Sequence, residues 1–217
     1  MEDRYKNPFE ISKMLYLGDA YKNEQELKRI VQYYSFKGMP YQAAQILERE
    51  LNVGRIGTTV NSLEQLAGLW RRARAYKKSN AVRQQKANMY EQMNDYVAWF
   101  EIVILEGECE QAEGIIKKIL ENKTVNSGYY YMQLGNCFYD LSQKAPKQNC
   151  KRPHEKGQRW RLQEKAIRVF DTAYKYTHSK NDFAANAQKW KTFIHAEQKA
   201  IQRRCQPHIT RSNVSGK

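Results

Sequence analysis

The residues with the most reactive side chains lie in one stretch, "SQKAPKQNCKRPHEKGQRW", at residues 142–160. Cys150 and His154 are spaced as two ligands of a zinc ion could be, and a tetrahedral site needs two more ligands. Cys137 comes earlier, on a predicted helix, and His178 follows only after another predicted helix. Because no second close pair completes the set, the sequence predicts no metal site and a polar loop with a free Cys150 thiol.

The chain lacks the sequence patterns of common catalytic centres. It contains no GxSxG, HExxH, P-loop or GxGxxG motif. Its histidines have no Ser, Cys or Asp at a spacing typical of a catalytic triad; they are His154, His178, His195 and His208. We therefore predict that the protein is not an enzyme and that it needs no cofactor.

The cysteines are scattered along the chain, at Cys109, Cys137, Cys150 and Cys205, without a CxxC pair. This spacing argues against a disulfide scaffold and favours a reducing compartment.

The formal net charge of +14 is concentrated near the C-terminal end. Residues 1–143 contain 19 Lys and Arg against 18 Asp and Glu, whereas residues 144–165 contain 8 against 2 and residues 174–217 contain 9 against 2. The stretch from Glu91 to Glu113, here called the acidic band, has acidic residues and no Lys or Arg. The chain therefore has a neutral body, an acidic band and a basic end.

The basic end suggests a contact site for a polyanion or an acidic partner. Trp160 lies between two arginines and could stack on a base while its neighbours bind phosphates. The alternatives to nucleic acid are a protein partner, pairing with the acidic band of the same chain, and anionic lipid headgroups. The acidic band would repel a nucleic-acid backbone that passed near it. The residues predicted to make this contact are Lys147, Lys151, Arg152, Arg159 and Arg161.

Apolar residues recur at helical spacing through most of the chain and predict an all-α protein. The predicted helices come in pairs whose starts lie roughly 33 to 37 residues apart, which is typical of a tetratricopeptide solenoid. We predict a remnant helix, four repeats, a basic insertion in the last repeat at 142–160, a capping helix and a disordered tail. The remnant helix spans 1–22, and the four repeats span 23–56, 57–91, 92–124 and 125–177. The capping helix spans 178–204, and the tail spans 205–217.

The fourth pair matches the tetratricopeptide pattern best. Small residues stand where two helices nearly touch and aromatic residues fill the space beside them, at Leu134, Gly135, Phe138, Ala166, Phe170 and Ala173. The second pair departs from the pattern, because Arg83 and Lys86 stand where apolar residues are usual. We therefore expect its second helix to pack weakly, unless Val82 and Ala87 supply a shifted apolar stripe.

Five segments of the chain occur in a fixed order: "GMPYQAAQILERELNVGRI", "NSLEQLAGLWRRARAYKK", "LGNCFYDL", "AIRVFDTAYKY" and "QKWKTFI". Together they resemble the C-terminal half of the proteobacterial tetratricopeptide proteins that accompany the TonB–ExbB–ExbD system. The resemblance implies a non-catalytic helical array on the periplasmic side of the inner membrane. It also implies an accessory role in TonB-dependent iron and siderophore uptake.

Three features depart from this family. The family's upstream repeats and export signal are missing, and the 142–160 insertion is not part of its pattern. We therefore expect a fragment of a longer protein, with a cytoplasmic location if the chain is complete. Exposed apolar surface at a broken solenoid end also makes self-association a risk.

The predicted function is the binding of a protein or peptide in the groove formed by the first helices of the pairs. The side chains predicted to line that groove are Tyr33, Gln65, Arg72, Glu101 and Gln133. The alternative function is the binding of RNA or another polyanion through residues 144–165 and the C-terminal tail.

Overall fold

The computed structural model describes residues 8–122, 125–147, 150, 157–176 and 182–205. The described residues form ten α-helices and no β-strand. The helices are α1 (Pro8–Leu17), α2 (Glu24–Phe36), α3 (Pro40–Asn52), α4 (Val60–Arg72), α5 (Tyr76–Tyr90), α6 (Met93–Glu106), α7 (Cys109–Leu120), α8 (Ser127–Lys144), α9 (Gln158–Tyr176) and α10 (Asp182–Cys205). Within these ranges, no helix is both long and apolar enough to span a membrane.

Local sequence signals set the ends of the helices. Asn23 and Thr59 each form a capping box, in which their side chains accept from the backbone N–H three residues on. Pro40 occupies the first turn of α3, where its missing N–H costs no helical hydrogen bond. Gly38 follows α2 and has a φ of 72°, the left-handed conformation that commonly ends a helix. Short turns of this kind make successive helices antiparallel.

The chain divides into two compact units, residues 1–106 and 107–217. In unit 1, each helix from α1 to α6 packs on the next one in the sequence. Ile30 and Val31 of α2, Leu47 of α3 and Trp70 of α4 are fully buried in one apolar core. This order of antiparallel pairs is that of an α-solenoid, so the predicted fold class is confirmed.

Unit 2 contains the best-matched pair of helices, α8 and α9. All six residues that matched the pattern are buried, and Gly135 lies directly against the ring of Phe170. Helix α10 packs on both α8 and α9, and its Trp190 stacks on Phe170 with ring centroids 5.9 Å apart. The predicted residues of this pair thus form its core.

The prediction of a free thiol and of no disulfide scaffold was wrong. Cys109 bonds to Cys137, with Cα atoms 5.8 Å apart, and Cys150 bonds to Cys205, with Cα atoms 4.6 Å apart. The first disulfide joins the start of α7 to the middle of α8, and the second ties the insertion to the end of α10. Packing of the helices brings these cysteines together from 28 and 55 residues apart, which their sequence spacing does not reveal.

Several sequence predictions lie outside the described residues or stay predictions. Lys151, Arg152 and His154 lie outside them, as do residues 206–217 of the predicted tail. The predicted remnant helix corresponds to α1, which packs on α2 through Phe9 and Tyr34 with ring centroids 5.0 Å apart. The boundary between the units falls inside the predicted third repeat, and the repeat boundaries stay predictions.

The contact at Gly135 predicts a specific loss of stability. A Cβ atom at this position would lie 2.5 Å from the ring of Phe170, which is fully buried and cannot move aside. We expect Gly135→Ala to lower the free energy of unfolding by about 1–3 kcal/mol in urea denaturation. Gly114→Ala is the control, since no atom lies within 4 Å of its Cβ position, and it should stabilise α7 by about 0.5–1 kcal/mol. Equal effects of the two substitutions would contradict this packing.

Candidate interaction groove

An open groove of about 790 Å³ lies in unit 1, beside the C-terminal ends of α2, α4 and α6. These are the first helices of three predicted pairs. Its walls consist of Ser35, Glu64, Gln65, Gly68, Leu69, Arg71, Arg72, Arg74, Tyr76, Arg83 and Leu105, here called the groove residues.

The structure places two of the five predicted binding residues in this groove, Gln65 and Arg72. Tyr33 is half-buried on α2, and Glu101 is exposed on α6, but neither side chain lines the groove. Gln133 is half-buried on α8, in unit 2. The signal that sequence reasoning missed is the run "RRARAY", which places three arginines at the end of α4 and in the following turn.

The floor of the groove contains Glu64 and Arg83, which belong to a cluster of four charged side chains from three helices, here called the ionic cluster. Glu64 of α4 accepts hydrogen bonds through both carboxylate oxygens from Arg83 of α5, with Arg83 Nη2 2.6 Å from Oε1. Lys86 Nζ lies 2.6 Å from Glu64 Oε2 and 2.8 Å from Asp95 Oδ1 of α6. The side chains of Arg83, Lys86 and Asp95 are 9%, 7% and 8% exposed. One lysine therefore bridges carboxylates on both neighbouring helices.

The pKa shifts of Glu64 and Lys86 favour the charged form of each side chain. Burial alone would raise the pKa of Glu64, but the hydrogen bonds from Arg83 and Lys86 outweigh it and lower that pKa. Burial alone would lower the pKa of Lys86, but its bonds to Asp95 and Glu64 outweigh it and raise that pKa. The ion pairs of Glu64 and of Lys86 thus offset the free-energy cost of removing these charged groups from water.

The expectation that α5 packs weakly is wrong for this reason. Arg83 and Lys86 occupy buried positions on α5, and their charges are neutralised by partners on α4 and α6. Ser79 adds a hydrogen bond of 2.9 Å from its Oγ to the carbonyl of Ala67 on α4. Helix α5 is therefore attached to its neighbours by these polar contacts together with the buried Val82 and Ala87, the shifted apolar stripe that the sequence allowed.

A second set of polar contacts fixes the wall formed by α6. Trp99 Nε1 of α6 donates to Asn80 Oδ1 of α5 over 2.7 Å, and Asn80 Nδ2 donates to Glu106 Oε2 over 2.5 Å. These bonds position the last turn of α6, where Leu105 lines the groove with 54% of its side chain exposed.

The rim of the groove is cationic. Arg71, Arg72 and Arg74 are exposed, and Arg72 donates to Ser35 Oγ of α2. Arg74 adopts the left-handed conformation, with a φ of 57°, in the turn between α4 and α5. Within the described residues, no carboxylate forms an ion pair with any of these three arginines.

The basic surface predicted around Trp160 is partly engaged within unit 2. Arg159 donates to Gln143 Oε1 over 2.6 Å, and its Nη2 lies 3.5 Å from Glu197 of α10. Trp160 is half-buried and donates to Glu164. Lys147 and Arg161 are exposed, so of the described members of this set they are the ones positioned for a partner.

Glu197 is the acceptor around which this part of unit 2 is arranged. Besides Arg159, it accepts from Gln163 Nε2 at 3.0 Å and from Tyr139 at 3.2 Å. Burial, and then the charge of Glu197, raises the pKa of Tyr139 to about 12.

Part of the acidic band pairs with the basic stretch of the same unit. Lys165 Nζ lies 3.4 Å from Glu110 and 3.2 Å from Glu113. This is the intramolecular pairing that the charge distribution suggested, seen for one lysine of residues 144–165.

The described residues contain no group of three or more His, Cys, Asp and Glu side chains that could hold a metal ion.

No protein-family model and no curated protein sequence matches the chain. Solved structures with a similar fold include an ArsTM double mutant of MamA from RS-1. It is 12% identical, with a TM-score of 0.48 over 84% of this chain and 93% of that chain. They also include MamA from residue 41 to its end, from Desulfovibrio magneticus RS-1, which is 12% identical, with a TM-score of 0.45 over 82% of this chain and 96% of that chain. Likeness at this level says nothing about function.

The ionic cluster predicts a pH-dependent effect of one substitution. Glu64→Gln leaves Arg83 uncompensated and Lys86 with Asp95 alone. Because the Glu64 carboxylate is 48% exposed and solvent screens part of its charge, we expect a loss of about 1–3 kcal/mol in the free energy of unfolding at neutral pH. Because the folded pKa of Glu64 lies below its ordinary value of 4.5, its contribution is present above that value and is lost as the pH falls through the folded pKa. The difference between wild type and variant should therefore shrink in acid, as measured by urea denaturation at several pH values.

The control is Glu48→Gln, since Glu48 pairs with Lys78 on the surface over 3.4 Å. Such an exposed pair contributes about 1 kcal/mol at most. An effect of Glu64→Gln no larger than this control would contradict a structural role for the ionic cluster.

Proposed function

We propose that this chain is a non-catalytic scaffold of tetratricopeptide type that binds a segment of a partner protein in the groove of unit 1. The observation that carries the proposal is an open groove whose floor is fixed by the ionic cluster and whose rim holds three arginines without acidic partners. A preformed surface loses little conformational entropy on binding, so the contacts made there contribute fully to affinity.

The partner we propose is a component of a TonB–ExbB–ExbD-type complex, with a role in iron and siderophore uptake. Support comes from the segments in the sequence that resemble the tetratricopeptide proteins of that system. We further propose a periplasmic location at the inner membrane. The two disulfides support it, because disulfides form and persist in oxidising compartments and are rare in the cytosol.

Site-specific photo-crosslinking tests the binding function in the cells that produce the protein. A photoreactive amino acid at Gln65, inside the groove, should give a discrete crosslinked protein. The matched control is Gln84, which is exposed on α5 and does not line the groove, and it should give none. Mass spectrometry of the product should identify an inner-membrane component of a TonB-type system.

Two outcomes would count against this function. Crosslinks of equal yield from Gln65 and Gln84 would show that the groove is not the binding surface. A photoreactive residue at Arg161 that captures RNA, with no product at Gln65, would favour the polyanion function instead. A specific partner at Gln65 that belongs to another system would refute the TonB assignment alone.

The state of the cysteines tests the proposed compartment. When the protein is trapped with N-ethylmaleimide in its own cells, we expect no alkylated cysteine. We expect linked peptides that contain Cys109 with Cys137 and Cys150 with Cys205. Reduction should then lower stability by about 2–4 kcal/mol per disulfide, because the unfolded chain regains loop entropy. Four alkylated thiols in the trapped protein would instead indicate a reducing compartment.

A further inference from the structure

The arginines on the rim of the groove have no structural partner that accounts for their charge. We propose that the groove selects an acidic segment of its partner, with carboxylates bound by Arg71, Arg72 and Arg74 and an apolar side chain placed beside Leu105. This inference rests on the proposed function and adds the chemistry of the segment that the groove accepts.

Capping of α4 does not explain the arginines. The last carbonyls of this helix already accept backbone hydrogen bonds: Leu69 from Ala73, Trp70 from Ala75, and Arg71 from Arg74, at 2.9–3.0 Å. The end of α2, across the groove, is satisfied in the same way, with the carbonyl of Ser35 accepting from Gly38. The guanidinium groups are therefore not required to satisfy helix ends, although they also face the negative ends of these helix dipoles.

The acidic side chain among the groove residues, that of Glu64, already has cationic partners. Both oxygens of Glu64 bond to Arg83 and Lys86 of the ionic cluster, so Glu64 has little capacity left to neutralise the rim. Three exposed positive charges thus stand close together, on two consecutive residues and one in the adjoining turn. A carboxylate fits the planar fork of an arginine through two parallel hydrogen bonds, which makes Arg a specific receptor for acidic side chains.

The groove also offers apolar surface. Leu105 is 54% exposed on the α6 wall, and the half-buried Tyr76 also lines the groove. Phe36 follows the groove residue Ser35 directly and is 86% exposed. A peptide that carries an apolar residue among its acidic ones can bury this surface while its carboxylates reach the rim.

A nucleic acid fits the same groove less well than an acidic peptide. Helix α6 contributes the apolar Leu105 to the groove and carries no basic residue. A phosphate backbone would leave the exposed side chain of Leu105 in water, whereas a peptide can place an apolar side chain there and its carboxylates at the rim. The combination of a cationic rim and an apolar wall therefore favours a peptide.

The test uses fluorescein-labelled peptides of about 12 residues, titrated with the full chain and read by fluorescence polarisation. The peptides share the same leucine positions and carry Glu and Asp, Gln and Asn, or Lys at the others. We expect the acidic peptide to bind best and to lose affinity as salt is raised. In the double variant Arg71→Gln/Arg74→Gln its affinity should fall about tenfold or more.

The matched control is Arg29→Gln/Arg49→Gln, which removes the same charge from exposed positions outside the groove. It should change the affinity by less than about twofold. Urea denaturation of both variants checks that they remain folded. Equal losses in the two variants, or no binding of the acidic peptide, would overturn the inference.

Two further outcomes separate this inference from the proposed function. If the Gln and Asn peptide binds as tightly as the acidic one and crosslinks to Gln65, the groove binds peptides without selecting acid; the function then stands and the inference fails. If a single-stranded RNA of the same length displaces the acidic peptide and depends on Arg71 and Arg74, the groove is a polyanion site and the inference fails.

Discussion

The carboxylate of Glu64 holds two cationic side chains that would otherwise be buried without compensation. Arg83 and Lys86 are almost completely enclosed, and Lys86 depends on Glu64 and Asp95 together. Since a buried charge without its partner is far costlier than an exposed one, α4, α5 and α6 are constrained to the spacing at which these bonds form. An apolar interface could slide by a fraction of a turn, whereas these bonds tolerate little displacement. The groove therefore has a rigid floor before any partner binds.

The arginines of the rim derive their role from that floor. Because Glu64 is engaged by the ionic cluster, the charge of these exposed arginines remains without an acidic partner among the described residues. In unit 2, by contrast, some of the basic side chains pair with acidic side chains of the same unit. Arg159, within the sequence stretch that looked most like a nucleic-acid site, is held near Glu197, Tyr139 and Gln163, and Lys165 reaches the acidic band. Part of the described basic surface there is thus engaged internally.

Periodicity predicted the helices and the core of the fourth pair, because burial of Phe138, Ala166 and Phe170 depends on local spacing alone. It misjudged Arg83 and Lys86, since their partners lie on α4 and α6 and a single sequence does not show which charges will meet. The disulfides were missed for the same reason: Cys109 and Cys205 find partners only when distant helices pack. Among the groove residues, Gln65 and Arg72 were predicted from the helix face on which they lie. Arg74 was not, because the conformation of the turn after α4 decides where it points. Arg71 lies in the last turn of α4 and was not predicted either.

We infer that a partner binds in the groove of unit 1. Amide hydrogen exchange of the full chain, with and without the acidic peptide, tests this inference, because it reports on every described helix at once. We predict slower exchange at residues 33–39 and 65–76 and in the last turn of α6, with no change in α9 and α10. Protection confined to α9 and α10, or none in unit 1, would contradict the account.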